Sequence, residues 1–243
     1  MKPLLVLAAF PVVLMGWASC SHSGTGHAAL PDPRAVDKSV PEYKNPFHPS
    51  TYAHFVARKD YRKTYDVYKD DTLLNRQPKK SRKIFVCLDE QRGQYLVDGL
   101  VAMDFPLSSG VKAYPTKTGD YAVISKKEDH TSNLYGKMYD AEGKCINYNA
   151  ESTDPIPEGG RFDGSPMPYW QRLTNAGLGL HGGKVRRHPV SHGCVRLPRN
   201  VAEILYRQTS IGTPVTIQKT PLPVPEAQKI PPAQQQESEG RKQ

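Results

Sequence analysis

Short apolar runs separated by turn residues occupy the middle of the chain, a pattern typical of β-strands. Residues 84–88 form one run, and residues 94–107 form two more, interrupted by Asp98-Gly99. An Asp-Gly pair between apolar runs favours a tight hairpin turn. Two later runs, residues 121–124 and 214–217, complete the series. The pattern predicts a mainly β domain of the α+β class.

One helix is predicted before the last of these strands. Asn200 and Glu203 have the spacing of a capping arrangement, and Gly212 is a stop signal. By contrast, residues 140–168 are punctuated by glycine and proline, and we expect them to form an irregular insertion or flap. The apolar residues expected on one face of the helix are Val201, Ile204 and Leu205.

The first 20 residues have the pattern of an export signal. Lys2 precedes an apolar stretch, residues 4–15, that is too short to span a bilayer, and small residues then precede Cys20. This resembles a bacterial lipoprotein signal, in which Cys20 becomes the lipidated first residue; an ordinary cleaved signal peptide is the alternative. Either predicts an exported protein. Lipidation would anchor it to the periplasmic face of a membrane.

Three further segments flank the β domain. Residues 21–50 are predicted to be a flexible tether, and residues 220–243, rich in proline and glutamine, a disordered tail. Residues 51–81 mix aromatic with basic residues. They form either a basic surface for anionic lipid or wall polymer, or a short helical segment that packs its aromatic side chains on the main domain. The second arrangement is favoured.

Composition narrows the class of protein. The chain has 243 residues, with 33 Lys and Arg against 24 Asp and Glu, a formal net charge of +9, and 4 cysteines. These values argue against a polytopic membrane protein, a coiled coil and a disulfide-dense scaffold. No nucleic-acid-reading motif is present, so nucleic acid is not an expected partner.

Residues 179–197 hold three histidines and one cysteine. Cys194 is a candidate nucleophile, which requires the thiolate, and His181 is a candidate base for its proton. Gly193 would let the backbone turn sharply before Cys194, leaving the N–H groups of Gly193 and Cys194 free to hold an oxyanion. These residue types are those required for acyl transfer.

Other interpretations remain open on spacing alone. His188, His192 and Cys194 are possible zinc ligands, although Pro189 argues against a helix through the two histidines. A disulfide between Cys194 and another cysteine is possible in an oxidising compartment. The simplest alternative is a buried cysteine with surface histidines. The candidate disulfide partners are Cys87 and Cys145.

The residues around Cys194 and His181 are more informative than the spacing of the cysteine and histidines alone. Residues 191–197 (SHGCVRL), together with residues 179–182 (GLHG), resemble the L,D-transpeptidase family with the YkuD-type catalytic domain. Two departures are that Lys117 stands where proline is usual, and Arg196 where the founding pattern has asparagine. The interval between His181 and Cys194 is also shorter than in many members. The resemblance covers residues 82–219 and includes residues 105–110, 114–119, 167–170 and 212–215.

The resemblance implies a compact mixed sheet curled around the cysteine and the transfer of peptidoglycan stem peptides. Cys194 would attack the carbonyl of the third residue of a donor tetrapeptide, with His181 as base, oriented by the carbonyl of Gly182. The backbone N–H groups of His192, Gly193 and Cys194 would hold the oxyanion. The partners would be donor and acceptor stem peptides, in cell-wall biogenesis, degradation and the maintenance of cell shape.

Supporting roles are also implied. Arg196 would hold the donor carboxylate or brace the turn, and Ser191 is expected to be a hydrogen-bonding turn residue. Tyr169 and Trp170 would line the substrate cleft or pack in the core. The remaining cysteines, Cys87 and Cys145, would be buried thiols or a mutual disulfide. No metal or organic cofactor is implied, because acyl transfer to and from a thiol needs none.

The acceptor is not determined by the motif. It would be the side chain of a diamino acid, a D-amino acid, a lipoprotein lysine, or water, which gives carboxypeptidase or hydrolase activity instead. A non-catalytic wall-binding lipoprotein is the alternative from another class. A catalytic cysteine is expected to react with alkylating agents at mildly acidic pH, and that of a binding module is not.

Overall fold

β-strands predominate in the computed structural model, which describes residues 30–77 and 81–230. This confirms the prediction of a mainly β fold with mixed sheets and few short helices. The described helices are α1 (Tyr52–Ala57), α2 (Asp71–Asn75) and α3 (Arg199–Gln208), with a 3₁₀ turn at Glu226–Gln228. The strands are β1 (Tyr68–Lys69), β2 (Arg82–Cys87), β3 (Arg92–Val97), β4 (Leu100–Pro106), β5 (Gly119–Ala122), β6 (Ser125–Lys127), β7 (Thr131–Tyr139), β8 (Cys145–Glu151), β9 (Arg161–Pro166), β10 (Trp170–Arg172), β11 (Gly179–Gly182), β12 (Val195–Leu197) and β13 (Pro214–Gln218).

The largest sheet contains the apolar runs that were predicted as strands. Its order is β1-β4-β3-β2-β13-β5, with β2 and β13 parallel and the other pairs antiparallel. Between β3 and β4, Asp98 and Gly99 have φ angles of 51° and 80°, as a primed hairpin turn requires. The predicted hairpin is therefore confirmed.

A second sheet, in the order β12-β11-β10-β6, carries the chemical motif. Only β11 and β12 run parallel in it. The residues after β4 connect the two sheets, because Ser108 pairs with Arg196 and Gly110 with Ser191 in isolated bridges. The apolar faces of both sheets and of α3 enclose the main core, which includes Phe105, Leu180 and Leu205.

Helix α3 differs in detail from the prediction. It begins at Arg199 after Pro198, which provides no side-chain cap, so Asn200 lies inside the first turn and the capping prediction is wrong. At the other end, the Thr209 hydroxyl donates to the carbonyl of Leu205 at 2.6 Å. The buried residues are Val201, Ala202 and Leu205, while Ile204 is half-buried.

Residues 140–168, expected to form an irregular insertion or flap, contain two strands, β8 and β9. β8, β7 and β9 form a three-stranded antiparallel sheet, called the flap sheet below. The glycines that suggested a loop are instead required by the sheet. Gly143 lies in the turn between β7 and β8 with φ 78°. Gly164 lies so close to β7 that a Cβ there would be 2.0 Å from the Ser132 carbonyl oxygen. Both faces of this sheet are largely exposed, so its sequence lacks the apolar alternation of a half-buried strand.

The aromatic residues that precede the β domain pack on it. Tyr52, Phe55 and Tyr61 are buried in a second apolar cluster that also contains Val101 of β4. Helix α1 begins after Thr51, whose hydroxyl accepts the His54 N–H at 3.1 Å. This is the second of the two arrangements considered for residues 51–81, because the rings of Tyr52, Phe55 and Tyr61 are covered, although Tyr65 is exposed.

Parts of the expected tether and tail also pack on the domain. Phe47 is buried, and Arg34 forms an ion pair of 2.8 Å with Glu90. In the tail, the Gln228 side chain makes two hydrogen bonds with the backbone of Val101, and Val224 is buried. The predictions of a free tether and tail are therefore wrong for residues 31–50 and 221–230. Proline-rich composition does not prevent a segment from binding a preformed surface.

The export signal, Cys20, residues 21–29 and residues 231–243 lie outside the described residues. Among residues 30–77 and 81–230, no helix is both long enough and apolar enough to cross a membrane.

A buried carboxylate joins the N-terminal segment to the large sheet. Asp104 of β4 is completely buried and accepts hydrogen bonds from the hydroxyls of Tyr52 and Tyr61 at 2.5 and 2.9 Å. It also pairs with the Arg92 guanidinium at 2.5 Å. Arg92 in turn donates to the carbonyls of Thr64 and Asp66 at 3.3 and 3.0 Å. Each polar group of the cluster is thus compensated by another, as buried charges require.

We predict that Asp104→Ala lowers the free energy of unfolding by about 3–5 kcal/mol, because it leaves the Arg92 charge buried without its carboxylate. Urea denaturation followed by circular dichroism measures the change. Asp66→Ala is the matched control, since the Asp66 carboxylate is 59% exposed in its pair with Arg58. It should cost less than about 1 kcal/mol. Equal costs for the two variants would contradict the assignment.

Candidate active site

The parallel pairing of β11 and β12 brings the two candidate catalytic residues to one face. Leu180 lies opposite Val195, and His181 opposite Arg196, so the same register places Cys194 opposite Gly179. Side chains alternate between faces along a strand. His181, Cys194 and Arg196 therefore share a face, on strands about 4.8 Å apart. All three line one cleft.

The turn before Cys194 is stabilised by Ser191. The Ser191 hydroxyl donates to the Cys194 carbonyl at 2.5 Å and accepts the Gly193 N–H at 3.2 Å. Gly193 has φ 108°, a conformation that favours glycine. A Cβ on Gly110 would lie 2.8 Å from the Gly193 Cα, so the backbone of the turn packs directly on residues after β4. Ser191 is a turn residue, as expected from the sequence.

His181 is buried and its tautomer is determined by a backbone carbonyl. Its Nδ1 lies 2.9 Å from the carbonyl oxygen of Gly182. A carbonyl only accepts, so Nδ1 carries the proton and Nε2 is a free base. Burial lowers the pKa of His181 to about 4, and the nearby Arg196 charge acts in the same direction, against the Gly182 hydrogen bond. The imidazole is therefore neutral at neutral pH.

The Cys194 thiol is half-buried, and its Sγ donates to the Gly177 carbonyl at 3.3 Å. Burial raises its pKa above the usual value, although the Gly179 N–H and the Arg196 charge act in the opposite direction. A raised pKa disfavours the thiolate in the free protein, and the expected alkylation at mildly acidic pH stays a prediction. The thiol is protonated at neutral pH and needs a base to become a nucleophile.

The backbone N–H groups of the turn divide into two kinds. Gly193 donates to the Ser191 hydroxyl, so its N–H is already used, in contrast to the expectation that it holds an oxyanion. The N–H groups of His192 and Cys194 make no hydrogen bond to any residue of the described ranges. Two N–H groups, not three, are thus available to an oxyanion at this turn.

The cleft has a volume of about 730 Å³ and lies between the second sheet and the flap sheet. Tyr135 of β7 stacks on the His192 ring, with centroids 4.2 Å apart, and Tyr114 contacts the same ring at 4.9 Å. No Asp or Glu lines the described cleft; Glu151 lies outside its lining and accepts from the Tyr114 hydroxyl at 3.3 Å. The cationic lining residues are Lys117, Arg172, Lys184 and Arg196.

The three supporting residues predicted from the sequence have different positions. The Arg196 side chain lines the cleft and makes no hydrogen bond or ion pair with the described residues, whereas its backbone pairs with Ser108. Trp170 is buried and lines the cleft, with its ring 6.0 Å from that of His181. Tyr169 is not part of the lining; its ring contacts Tyr206 of α3 at 5.8 Å and packs against the main core, which is the second of the two positions expected for it.

The alternative interpretations of the cysteines find no support in the described residues. Cys87, Cys145 and Cys194 are all free thiols, so the structure contains neither proposed disulfide. No three His, Cys, Asp or Glu side chains of residues 30–77 and 81–230 lie close enough together to hold a metal ion. His188 is exposed, and His192 is stacked on Tyr135.

Several residues of the site were missed from the sequence. Tyr135 and His130 come from the flap sheet and the segment before it, where no strand was predicted. Arg172 follows a recognised motif by two residues and reaches the cleft because β10 pairs with β11. Arg187 lies in the loop between His181 and Cys194, and its guanidinium donates to the Thr64 carbonyl at 2.7 Å. The sequence offers no signal for Tyr135, because residues 131–139 lack the apolar alternation of a half-buried strand.

The fold and site together define a mainly β protein with a buried neutral histidine and a cysteine on one face of a basic cleft. Residues 81–217, more than half of the chain, match the family model for the L,D-transpeptidase catalytic domain, YkuD. The chain belongs to this family.

Individual relatives are similar over shorter spans. The chain is 31% identical over 121 residues to the probable L,D-transpeptidase 3 of Mycobacterium tuberculosis (strain ATCC 25618 / H37Rv), a match that covers 47% of this chain and 38% of that protein. The L,D-transpeptidase structure from Mycobacterium smegmatis has a TM-score of 0.44 at 22% identity, over 57% of this chain and 58% of that one. The structure of L,D-transpeptidase 3 from Mycobacterium tuberculosis has a TM-score of 0.42 at 24% identity, over 57% of this chain and 61% of that one.

We predict that the His181 imidazole titrates at about pH 4, below its ordinary pKa of 6.5, because burial disfavours the charged ring. Ring resonances followed by NMR should stay constant as the pH falls from 8 to 5.5 and shift only near pH 4. The spectrum of His181→Gln identifies the signal. A midpoint near pH 6.5 would contradict the assignment.

Proposed function

We propose that this protein catalyses peptidoglycan L,D-transpeptidation through an acyl-enzyme on Cys194. The observation that carries the proposal is the pairing of β11 and β12, which presents a thiol and a neutral imidazole to one cleft in a chain of this family. The match covers only 38% of the length of the relative from Mycobacterium tuberculosis. The proposal therefore concerns the chemistry that the site itself supports.

In the first half-reaction, Nε2 of His181 takes the proton of the Cys194 thiol. The thiolate attacks the carbonyl carbon of the third residue of a donor tetrapeptide, and the N–H groups of His192 and Cys194 hold the resulting oxyanion. The tetrahedral intermediate collapses by breaking the C–N bond, and His181 gives its proton to the amine of the leaving D-alanine. A thioester on Cys194 remains.

In the second half-reaction an amine of a second stem peptide attacks the thioester. Its proton passes to His181, the C–S bond breaks, and the thiolate of Cys194 regains a proton from the imidazolium. The new peptide bond joins the two stems. When water attacks instead, the same steps release the tripeptide, which is carboxypeptidase activity.

The electrostatics of the cleft support an anionic peptide as substrate. Stem peptides carry carboxylates, and the described cleft is lined by lysine and arginine without any acidic residue. Burial lowers the pKa of Arg196, with no carboxylate of the described chain to offset that desolvation. A substrate carboxylate would satisfy this guanidinium, as a charge-assisted bidentate pair does. Arg196 is thereby proposed to hold the donor.

Export and lipid anchoring are proposed on the sequence of residues 1–20 alone. The charged start, the short apolar stretch and Cys20 support a lipoprotein at the periplasmic face of a bacterial membrane. Mass analysis of the protein purified from membranes tests this: a mature chain that begins with a diacylated or triacylated Cys20 is expected. A chain that begins elsewhere without lipid would contradict it.

We predict that the full chain, incubated with purified tetrapeptide muropeptides, forms cross-linked dimers with loss of D-alanine, as measured by mass spectrometry. Cys194→Ala should abolish the products and the protein-bound acyl group. His181→Gln should slow acylation by about 10²–10⁴-fold through loss of the general base. His188→Gln is the matched control, because this histidine is exposed and outside the cleft.

The outcomes distinguish the candidate functions. Dimers formed by the wild type and by His188→Gln, and absent from Cys194→Ala, establish transpeptidation. Tripeptide without dimers would move the assignment to a carboxypeptidase or hydrolase that uses the same cysteine. Unchanged substrate and an unmodified Cys194 would favour a non-catalytic wall-binding protein.

A further inference from the structure

The sheet that carries the catalytic pair presents a continuous row of side chains across its four strands. Strand pairing places His181 opposite Arg196, and Trp170 opposite Lys127. Gln171 pairs with Leu180, so the same register sets Trp170 opposite His181. One face therefore carries Arg196, His181, Trp170 and Lys127 side by side, from β12 to β6.

A second row runs beside the first. Arg172 pairs with Gly179 on one side and with Ser125 on the other. Cys194 lies opposite Gly179 in the register of β12. A Cβ on Gly179 would lie 2.4 Å from the Trp170 ring, so this ring covers the glycine that lies between the thiol and Arg172. A ligand that extends from the thiol to Arg172 would therefore pass over the Trp170 ring.

The floor of the cleft continues past Arg172 into a shallow groove over β6. This groove, with a volume of about 490 Å³, shares His130, Trp170 and Arg172 with the main cleft and adds Ser125 and Lys127. The cleft and groove are therefore one surface with the thiol near one end. Its far end at Lys127 lies beyond the segments that match the family motif.

The cationic groups of the groove are available to a ligand. The side chains of Arg172 and Lys127 make no hydrogen bond or ion pair with residues 30–77 or 81–230. Lys126 differs, because its ammonium group donates to the carbonyls of Tyr206 and Thr209 at 2.5 and 2.7 Å. Glu128 and Asp129 follow Lys127 in the chain, but neither lines the groove.

We infer that this groove binds the acceptor substrate, an anionic stem peptide whose carboxylates pair with Arg172 and Lys127 while its amine reaches the thioester on Cys194. The inference rests on the proposed function and adds the site for the second substrate. The two basic regions are separate: Arg196 lies on the strand of the thiol, whereas Arg172 and Lys127 lie two and three strands away.

The distances suit a peptide. Adjacent strands are about 4.8 Å apart, so two to three strand spacings separate Cys194 from the basic pair by about 10–14 Å. An extended peptide covers about 3.3 Å per residue, and three or four residues span this gap. A stem peptide is of that length, so one end can be held while its amine lies at the sulfur.

The test compares two acceptor peptides, one with free carboxylates and one in which the carboxylates are amidated, in transfer from a tetrapeptide donor. The wild type should prefer the charged acceptor by about ten-fold in the rate of transfer at low acceptor concentration. The double variant Arg172→Gln with Lys127→Gln should lose this preference. Lys83→Gln, an exposed lysine on the other sheet, is the matched control and should keep it.

Further comparisons separate this inference from the proposed function. Arg196→Gln should slow donor acylation yet keep the acceptor preference. Retention of the preference in the double variant would overturn the acceptor groove while leaving transpeptidation intact. Should the wild type form no acyl-enzyme, the proposed function fails, and calorimetry then measures binding of the two peptides to the full chain. Equal affinities of wild type and double variant for the charged peptide would overturn the groove.

Discussion

The parallel pairing of β11 with β12 is the constraint on which the site depends. It places Cys194 and His181 on one face of adjacent strands, although thirteen positions separate them in the chain. Main-chain hydrogen bonds between Arg196 and Ser108, at 2.9 and 3.0 Å, join β12 to the large sheet. The strand that follows Cys194 is consequently hydrogen-bonded through its backbone on both sides, to β11 and to Ser108.

Burial is the main determinant of the protonation states of His181 and Cys194. Burial lowers the pKa of His181 and raises that of Cys194, so both groups are neutral at neutral pH. The N-terminal segment, which lies outside the matched family domain, also contacts the loop between His181 and Cys194. The Arg187 guanidinium in this loop donates to the carbonyl of Thr64. The buried Asp104 cluster holds that segment on the sheet.

The cleft and its extension over β6 give the sheet face two basic regions, one at Arg196 beside the thiol and one at Arg172 and Lys127, two and three strands away. The flap sheet reaches this surface through Tyr135, which stacks on the His192 ring and lines the cleft.

The sequence by itself determined the β class, the β3–β4 hairpin and the identity of the cysteine and histidine, because strand alternation, an Asp-Gly turn and a local motif are all short-range signals. The flap sheet could not be predicted, since its two largely exposed faces lack apolar alternation. The packing of residues 31–50 and 221–230 was also missed, because a polar segment gains order only from a surface formed elsewhere. Tertiary structure alone decided that Tyr169 faces α3 and that Arg172 reaches the cleft, since the first depends on packing against a helix distant in the chain and the second on the pairing of β10 with β11.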